Sequence, residues 1–275
     1  MARLLLTVAA GVLAALGFLA GPEILASQEP QVLPAQEPVA ATTQDPVDLS
    51  SIYAALAAQG VKVDAAKQLI RIDATIAQRV EPLEYLLVLQ PQGKDHEAMF
   101  ACQNISAEAL NTAMLLLGVE KGINGEYTAT TPPPTMEEVQ NGAAPYSYEP
   151  ASGDGFYIYA EWQRQVGDHI ERFRYRAEDL VLNIRDETTY QRGRWVYLGS
   201  RFVRPHKDAE EFFAAQGEGN LVSLVNFSPA NHLLTGADPS ADNQNIWYPN
   251  VYMLPAIGFP VEIVFSRQLL GDGPN

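Results

Sequence analysis

The sequence has one cysteine and few basic residues, and both shortages restrict what the protein can be. Cys102 has no partner for an intramolecular disulfide, and it cannot alone hold an iron–sulfur cluster or a cysteine-based zinc site. Lysine and arginine total 18 against 33 aspartates and glutamates, which gives a formal net charge of −15. Because this charge repels nucleic-acid phosphates and anionic lipid surfaces, we expect no nucleic-acid partner.

Long hydrophobic runs are also scarce, and the one that approaches the length of a membrane span lies at the N-terminus. Arg3 precedes an uncharged run over residues 4–20. This layout is typical of a secretory signal peptide, which we place over residues 1–26. The run of about 17 residues is at the lower limit for crossing a bilayer, so an uncleaved anchor is the alternative. We therefore predict an exported protein of the periplasm or cell envelope, with membrane contact only through this segment.

The next segment, residues 27–49, is rich in proline, glutamine and alanine and has no basic residue. Such a segment buries too little apolar surface to offset the entropy lost on ordering, so we predict a disordered linker. The chain beyond it has the hydrophobic patterning of a folded body. We predict a single globular domain over residues 50–267 and a loose tail over residues 268–275.

A strand, a turn, a second strand and a helix are predicted at the centre of this domain. The apolar run at residues 83–89 indicates a buried strand, and turn residues at 91–95 return the chain to a partner strand at 97–103. Ser106 is a candidate N-cap. An i, i+3, i+4, i+7 apolar stripe then predicts the main helix at about residues 106–117.

The rest of the domain is predicted to be mostly β-structure, which makes the fold class α+β, with a predominantly antiparallel or mixed β-sheet body around one main packed helix. Proline and glycine break up residues 127–155 and predict a long loop. The other predicted elements are a short N-terminal helix at 50–58, a hairpin within 61–76, strands at 156–162, 170–175, 180–184, 195–203 and 260–265, and a hairpin over 210–225 with a helix at 208–215 as its alternative.

Several short motifs resemble the YdjY-type domain of exported bacterial proteins. The resemblance is clearest at KDHE, residues 94–97, followed by AEALNTAMLLLG at 107–118. Ala98 stands where the family commonly has a serine, so a serine nucleophile is missing at that position. The resemblance implies one domain over roughly residues 50–267 and an envelope location, in a family without an established activity. Further similar segments are GVKVD at 60–64, LEYL at 83–86, WVYLGS at 195–200, WYPN at 247–250 and LP at 254–255.

His96 and Glu97 are the sharpest candidate pair for chemistry. Neighbours in a strand point to opposite faces and do not readily bind one ion, whereas in a turn this constraint is relaxed. His169, His206 or His232 could complete a metal site, although no spacing predicts one. The pair is the candidate for an acid/base or metal-dependent hydrolase, and a structural hydrogen-bonding role is the alternative.

Other polar residues have simpler interpretations. Ser200 follows a glycine at the end of an aromatic strand, but no nucleophile-elbow pattern surrounds it. Cys102 lies in an apolar run, which favours a buried inert thiol. No pattern indicates a cofactor, and none is predicted. An oxygen-rich loop could hold calcium but lacks the EF-hand pattern, so an ordinary polar loop is preferred; it contains Asp238, Asp242, Asn243 and Asn245.

The basic residues are concentrated in one region. Between residues 164 and 207 there are ten of the 18 basic residues and six acidic ones, a local balance of +4. Arg172, Arg174 and Arg176 alternate along one predicted strand, and Arg194 falls on a neighbouring segment, which suits a carboxylate or phosphate. Cross-strand ion pairing is the alternative, with Glu171, Glu178, Asp179 and Asp186 as the acidic partners.

Two functions from different classes therefore stand. The first is a non-catalytic binding module of the cell envelope that contacts an unknown envelope protein or an anionic ligand through the arginine-bearing strands. The second is a hydrolase that uses His96 and Glu97. No residue spacing reaches the specificity of a known catalytic or metal motif, so the sequence predicts no particular reaction.

Overall fold

We describe residues 49–271 of a computed structural model. The predicted signal peptide, the linker up to residue 48 and tail residues 272–275 lie outside the described residues. Strands account for 35% and helices for 16% of the described residues, which confirms the α+β class. None of the helices within residues 49–271 combines the length and the hydrophobicity needed to cross a membrane.

The helices of the described part are short. The two longest, α1 and α2, match the predicted N-terminal helix and the predicted main helix, and two 3₁₀ helices lie at Asp95–Glu97 and Ala177–Leu180. The α-helices are α1 (Leu49–Ala58), α2 (Ala107–Leu116), α3 (Met136–Gln140) and α4 (Ala214–Glu218).

The strands are numbered in chain order as β1 (Lys62–Asp64), β2 (Leu69–Ile76), β3 (Tyr85–Leu89), β4 (Ala98–Cys102), β5 (Glu126–Ala129), β6 (Tyr146–Glu149), β7 (Gly155–Val166), β8 (His169–Arg176), β9 (Val181–Asn183), β10 (Thr188–Thr189), β11 (Trp195–Tyr197), β12 (Phe202–Val203), β13 (Phe212–Phe213), β14 (Asn220–Ser223), β15 (Leu234–Thr235), β16 (Trp247–Pro249) and β17 (Pro260–Ser266). The hairpin of β1 and β2 and the strand β17 are where the sequence predicted them.

Eight of these strands close into a barrel. Their order is β2, β17, β7, β11, β15, β14, β3, β4, and β4 pairs with β2 to complete the ring. The pairs β14–β15 and β3–β4 are parallel, and the other six are antiparallel. The predicted mixed sheet is thus present, but its closure was not anticipated, because closure depends on pairing between strands that are far apart in sequence.

The barrel interior and α2 share one hydrophobic core. Alternate residues of the barrel strands point inward, as Ile70 and Ile72 do on β2. The Ser106 hydroxyl accepts a hydrogen bond from the N–H of Ala109 at 3.0 Å, which confirms the predicted N-cap. The buried face of α2 includes Leu110 and Met114, so the apolar stripe packs as its period predicts.

The two strands at the centre of the prediction do pair, but they run parallel. Tyr85 lies opposite Ala98, and Leu89 lies opposite Cys102. The connection over residues 90–97 therefore returns along the length of β3 instead of forming a tight hairpin, and the 3₁₀ helix Asp95–Glu97 is its last part. This connection is short for parallel neighbours, which usually need a dozen residues or more.

The long loop predicted at residues 127–155 is wrong, because the segment has regular structure. Strands β5 and β6 form an antiparallel ribbon, in which Tyr127 lies opposite Tyr148 with ring centroids 5.2 Å apart. Helix α3 lies between them in the chain. Its N-cap is Thr135, which forms a capping box with Glu138. Local cross-strand and capping contacts thus order a segment whose prolines suggested a loop.

The hairpin predicted over residues 210–225 is also wrong. Strand β13 pairs with β12, whereas β14 pairs with β3 and β15. Gly219 has a φ of +71° and ends helix α4, so it acts as a helix C-terminal residue and not as a hairpin turn. The alternative helix at 208–215 is misplaced, since α4 begins only at Ala214.

The strand predicted at residues 195–203 is divided into β11 and β12. Gly199 and Ser200 lie between them with φ angles of +72° and +57°, and such left-handed residues interrupt an extended strand.

Strand β8 lies outside the closed ring and pairs with β7 along its whole length, from Val166 opposite His169 to Tyr159 opposite Arg176. Strand β7 has twelve residues, but its pairing with β17 covers only Tyr157 to Glu161. The far end of the β7–β8 hairpin therefore extends beyond the barrel wall. The predicted arginine-bearing strand is confirmed as β8.

Candidate functional site

The outer faces of four neighbouring strands form one row of charged residues. Asp73, Glu262, Glu161 and Arg174 are directly opposite one another across β2, β17, β7 and β8. Arg174 Nε lies 2.6 Å from Glu161 Oε1, and Arg71 bridges the Glu161 and Glu262 carboxylates from the adjacent row. Burial would lower the pKa of Arg71, but its hydrogen bonds to both glutamates raise it. The positive charge of Arg174 is therefore largely neutralised within this row.

Arg176 is buried and structural. Its side chain is 7% exposed and pairs with Glu178, which is 1% exposed. The Arg176 guanidinium also donates to the carbonyl of Gly193 at 2.7 Å and lies 5.1 Å from the ring centroid of Tyr157. A cation enclosed in this way is not accessible to a partner.

Arg194 is likewise paired. Its Nη1 lies 3.0 Å from Asp154 Oδ1, and Arg267 binds the same carboxylate at 2.7 Å. Burial would raise the pKa of Asp154, but the hydrogen bonds from Arg267 and from the N–H groups of Glu120 and Gly155 lower it to about 2. The structure thus places Arg194 in a cluster organised around Asp154.

Arg172 differs from the other three predicted binding arginines. It is exposed, and within the described part of the chain it forms no ion pair and no hydrogen bond through its side chain. It lines two cavities, of about 420 Å³ and about 560 Å³, which share Arg172, Phe173 and Arg174 as lining residues. We call Arg172 and these two cavities the Arg172 surface.

Other cations of this region pair with the four acidic residues named in the predicted alternative, but only Arg164 and Glu171 are opposite each other on paired strands. Surface pairs of this kind contribute little to stability, but they reduce the charge that a partner encounters. The surface pairs are Arg164 with Glu171 at 3.1 Å, Arg185 with Asp186 at 2.7 Å and Arg192 with Asp179 at 2.6 Å, whereas the pair of Arg176 with Glu178 is buried.

The His96–Glu97 pair lies in the 3₁₀ helix just before β4. His96 is 72% exposed, with Nε2 3.7 Å from Glu97 Oε1 and Nδ1 3.9 Å from Asp95 Oδ1. Lys94 Nζ lies 2.8 Å from Glu97 Oε2. The turn geometry therefore places an imidazole, an ammonium and two carboxylates together, as the sequence allowed.

Glu84 is the member of this cluster that the sequence analysis missed. Its carboxyl group lies 3.4 Å from Lys94 Nζ and next to the carboxylate of Glu97, to which it donates a hydrogen bond when protonated. Burial and that hydrogen bond raise the pKa of Glu84. Burial would also raise the pKa of Glu97, but its hydrogen bonds with Lys94 and Glu84 hold it below its usual value. The available signal was that Glu84 is the single charged residue in the apolar run at residues 83–89.

No group of three His, Cys, Asp or Glu side chains arranged to hold a metal ion occurs within residues 49–271. Two of the histidines proposed as distant ligands have other surroundings. His169 Nε2 lies 3.6 Å from Glu171 on β8. His232 is 2% exposed beside Phe227, and burial lowers the pKa of its imidazole to about 4.

The hydroxyl and thiol candidates have structural roles. Ser200 Oγ donates to the carbonyl of Asn231 at 2.8 Å and accepts from the N–H of Ala215 at 3.1 Å. Cys102 is fully buried and donates to the carbonyl of Val88 at 3.3 Å, and burial raises the pKa of the thiol to about 12. Within residues 49–271, neither forms a hydrogen bond with a histidine.

The side chains of the oxygen-rich loop accept hydrogen bonds from backbone N–H groups. Asp238 is 7% exposed and accepts hydrogen bonds from the N–H groups of Gln191 and Ser240, at 2.8 and 2.7 Å. Asn243 accepts from the N–H of Asn245 at 2.9 Å. These contacts are those of the ordinary polar loop that the sequence favoured.

No curated protein and no solved structure shows significant similarity to this chain. A family model, the YdjY domain, matches residues 61–266. The match includes both the KDHE turn and the strand that carries Arg172. Since it covers most of the chain, the protein belongs to the YdjY domain family.

Proposed function

We propose that this protein is an exported binding module, without catalytic chemistry of its own, that captures an anionic partner on the Arg172 surface. The observation that carries the proposal is the exposed guanidinium of Arg172, which is unpaired within residues 49–271 and lines two cavities of about 420 Å³ and 560 Å³. The predicted signal peptide and linker support a location outside the cytoplasm.

The Arg172 guanidinium suits a carboxylate or phosphate group, and the three carboxylates that also line the 420 Å³ cavity are paired with cations: Asp73 with Lys62, Glu262 with Arg71 and Glu161 with Arg174. A guanidinium offers a planar fork of donors that binds such groups through two parallel hydrogen bonds. A charge-assisted contact of this kind contributes about 1.5–3 kcal/mol. The negative charge of the whole chain opposes an anion at long range, but salt screens charges beyond about 8–10 Å, so local contacts decide binding.

A titration of the purified protein with succinate, followed through its amide resonances, tests this proposal. We expect saturable shifts at residues 172–175 and 250–253, and their loss in Arg172→Ser. The matched control is Arg204→Ser, since Arg204 is 52% exposed and pairs with Glu211 outside both cavities. Shifts that survive Arg172→Ser, or that disappear equally in the control, would contradict the proposal.

The substitution of Arg172 alone is preferable to a joint change with Arg174. Arg174 balances Glu161, which is only 20% exposed. Its removal would leave that carboxylate less well compensated and would disturb the row of charges shared with Arg71 and Glu262. A loss of binding in the double variant would therefore not distinguish partner contact from structural damage.

A second candidate function is acid/base hydrolysis at the KDHE turn. The observation that favours it is the pair Glu84 and Glu97, whose pKa values are shifted in opposite directions, as in paired catalytic carboxylates. Chromogenic ester, phosphate and glycoside substrates provide the test. Hydrolysis lost in Glu84→Gln and kept in the exposed control Glu81→Gln would support this function, and rates equal to those of buffer would exclude these substrate classes.

A further inference from the structure

We infer that the free edge of β8 binds an extended acidic peptide segment of a partner protein as an additional strand. This inference rests on the proposed function, because it identifies the anionic partner of the Arg172 surface. Strand addition at an exposed sheet edge uses main-chain hydrogen bonds for affinity and alternating side chains for specificity.

The edge of β8 is open along its length. All eight residues, from His169 to Arg176, pair with β7 on one side, and no strand of the described chain pairs with the other. Apart from its ladder with β7, the backbone of β8 forms no backbone–backbone hydrogen bond within residues 49–271. Because strand residues direct their N–H and C=O groups alternately to either side, about half of these groups point away from β7.

The larger cavity runs along this open edge. Five successive residues of β8, from Arg172 to Arg176, line it. Successive strand residues point to opposite faces of a sheet, so all five can border one cavity only if that cavity follows the edge. At about 3.3 Å per residue, this wall is about 16 Å long and suits a segment of four or five residues. The opposite wall consists of Asp179, Thr189, Arg192, Asn250 and Met253.

The side chains along β8 define the sequence that the edge would select. Arg172 and Arg174 lie on one face, whereas Phe173 and Tyr175 lie on the other, where Trp162 packs against both rings at 5.7 and 5.2 Å. Since directly opposed residues share a face, a bound strand should alternate acidic and apolar residues. Asp179 would repel an acidic segment, but Arg192 holds its carboxylate through two hydrogen bonds of 2.7 and 2.6 Å.

A second copy of this chain fits the edge less well. In a symmetric dimer, a two-fold axis perpendicular to the sheet would pair β8 with β8 of the second copy in an antiparallel arrangement. Even-numbered residues of one copy would then oppose only even-numbered residues of the other. In the two registers that pair most of β8, at least one arginine would then oppose an arginine, and Glu171 would oppose Phe173 or Tyr175. Like charges placed directly opposite each other destabilise such a pair. The charge pattern of β8 therefore favours a different, acidic strand.

The test is the binding of fluorescein-labelled Glu-Val-Glu-Val-Glu to the full chain, measured by anisotropy. We expect saturable binding that weakens about tenfold in Arg172→Ser and remains unchanged in Arg204→Ser. Two further peptides carry N-methyl groups at alternate residues, one at the glutamates and one at the valines. One methylated peptide should lose binding and the other should retain it, since a bound strand presents only alternate N–H groups to β8.

Equal binding of both methylated peptides, or equal loss of both, would overturn strand addition, and so would a lack of binding by the unmodified peptide. The succinate titration distinguishes a failure of strand addition from a failure of the anion-binding function on which it rests. If succinate still binds at Arg172, strand addition alone fails and the binding module stands. If neither succinate nor the peptide binds, both proposals fail.

Discussion

Replacement of Arg176 by alanine should destabilise the domain strongly, although Arg176 lies on the same strand as the exposed Arg172. Its guanidinium is 7% exposed and pairs with Glu178, which is 1% exposed. Removing one partner leaves the other charge buried without compensation, at a cost of about 3–5 kcal/mol. For a domain of this size, that loss corresponds to a fall in Tm of roughly 6–20 °C. Arg172→Ala, which removes an exposed and unpaired charge, should change stability by no more than about 0.5 kcal/mol.

Urea unfolding followed by tryptophan fluorescence measures both variants, and a third variant tests the cause. Arg176→Met combined with Glu178→Gln removes both charges and keeps an acceptor for the N–H of Gly193, which the Glu178 carboxylate binds at 3.1 Å. This double variant should recover most of the lost stability, because no charge remains buried. A loss below about 1 kcal/mol in Arg176→Ala, or no recovery in the double variant, would refute the reasoning.

Two further predictions concern ionisation. The pKa of Asp154 is lowered to about 2 in the folded protein, from a value near 3.8 in the unfolded chain. Its contribution to stability is therefore fully present above pH 3.8 and is lost as the pH falls through about 2. The stability difference between the native protein and Asp154→Asn, measured by urea unfolding, should therefore shrink between pH 5 and pH 2; a constant difference would contradict this. Burial raises the pKa of Cys102 to about 12, so its thiol should not react with Ellman's reagent at pH 8 until the chain is unfolded in guanidinium, whereas rapid labelling of the folded protein would contradict the burial.

The elements predicted correctly are those encoded by local sequence periodicity. Helix α2 has an N-cap and an apolar stripe within a single stretch, and β8 shows its alternation of arginine and aromatic residues directly. Some of the wrong predictions concern strand partners, whereas the loop predicted at residues 127–155 is wrong in its secondary structure. Strand β13 pairs with β12 outside the barrel instead of with β14, and β3 pairs in parallel with β4 within it. Both pairings depend on tertiary contacts that no local pattern contains.

The candidate site could be predicted in part for the same reason. His96 and Glu97 are adjacent in the sequence, which left a strand and a turn as alternatives, and the structure places both in the 3₁₀ helix Asp95–Glu97. Glu84 joins them only because β3 and β4 lie side by side, which brings its carboxylate to Lys94 and Glu97. A charged residue inside a buried strand indicated that Glu84 has a special environment, but not which groups surround it.

The four arginines predicted as a binding surface separate what the sequence determined from what tertiary structure decided. The alternating pattern of Arg172, Arg174 and Arg176 by itself determined that they share one face of a strand. Their different environments come from residues outside the strand. Glu161 and the row of charges that includes Glu262 neutralise Arg174, while the segment that follows β8 encloses Arg176. Arg172 remains exposed because the β7–β8 hairpin extends beyond the barrel wall. Whether a charge is buried, paired or free depends on contacts between segments of the folded chain, which no local pattern contains.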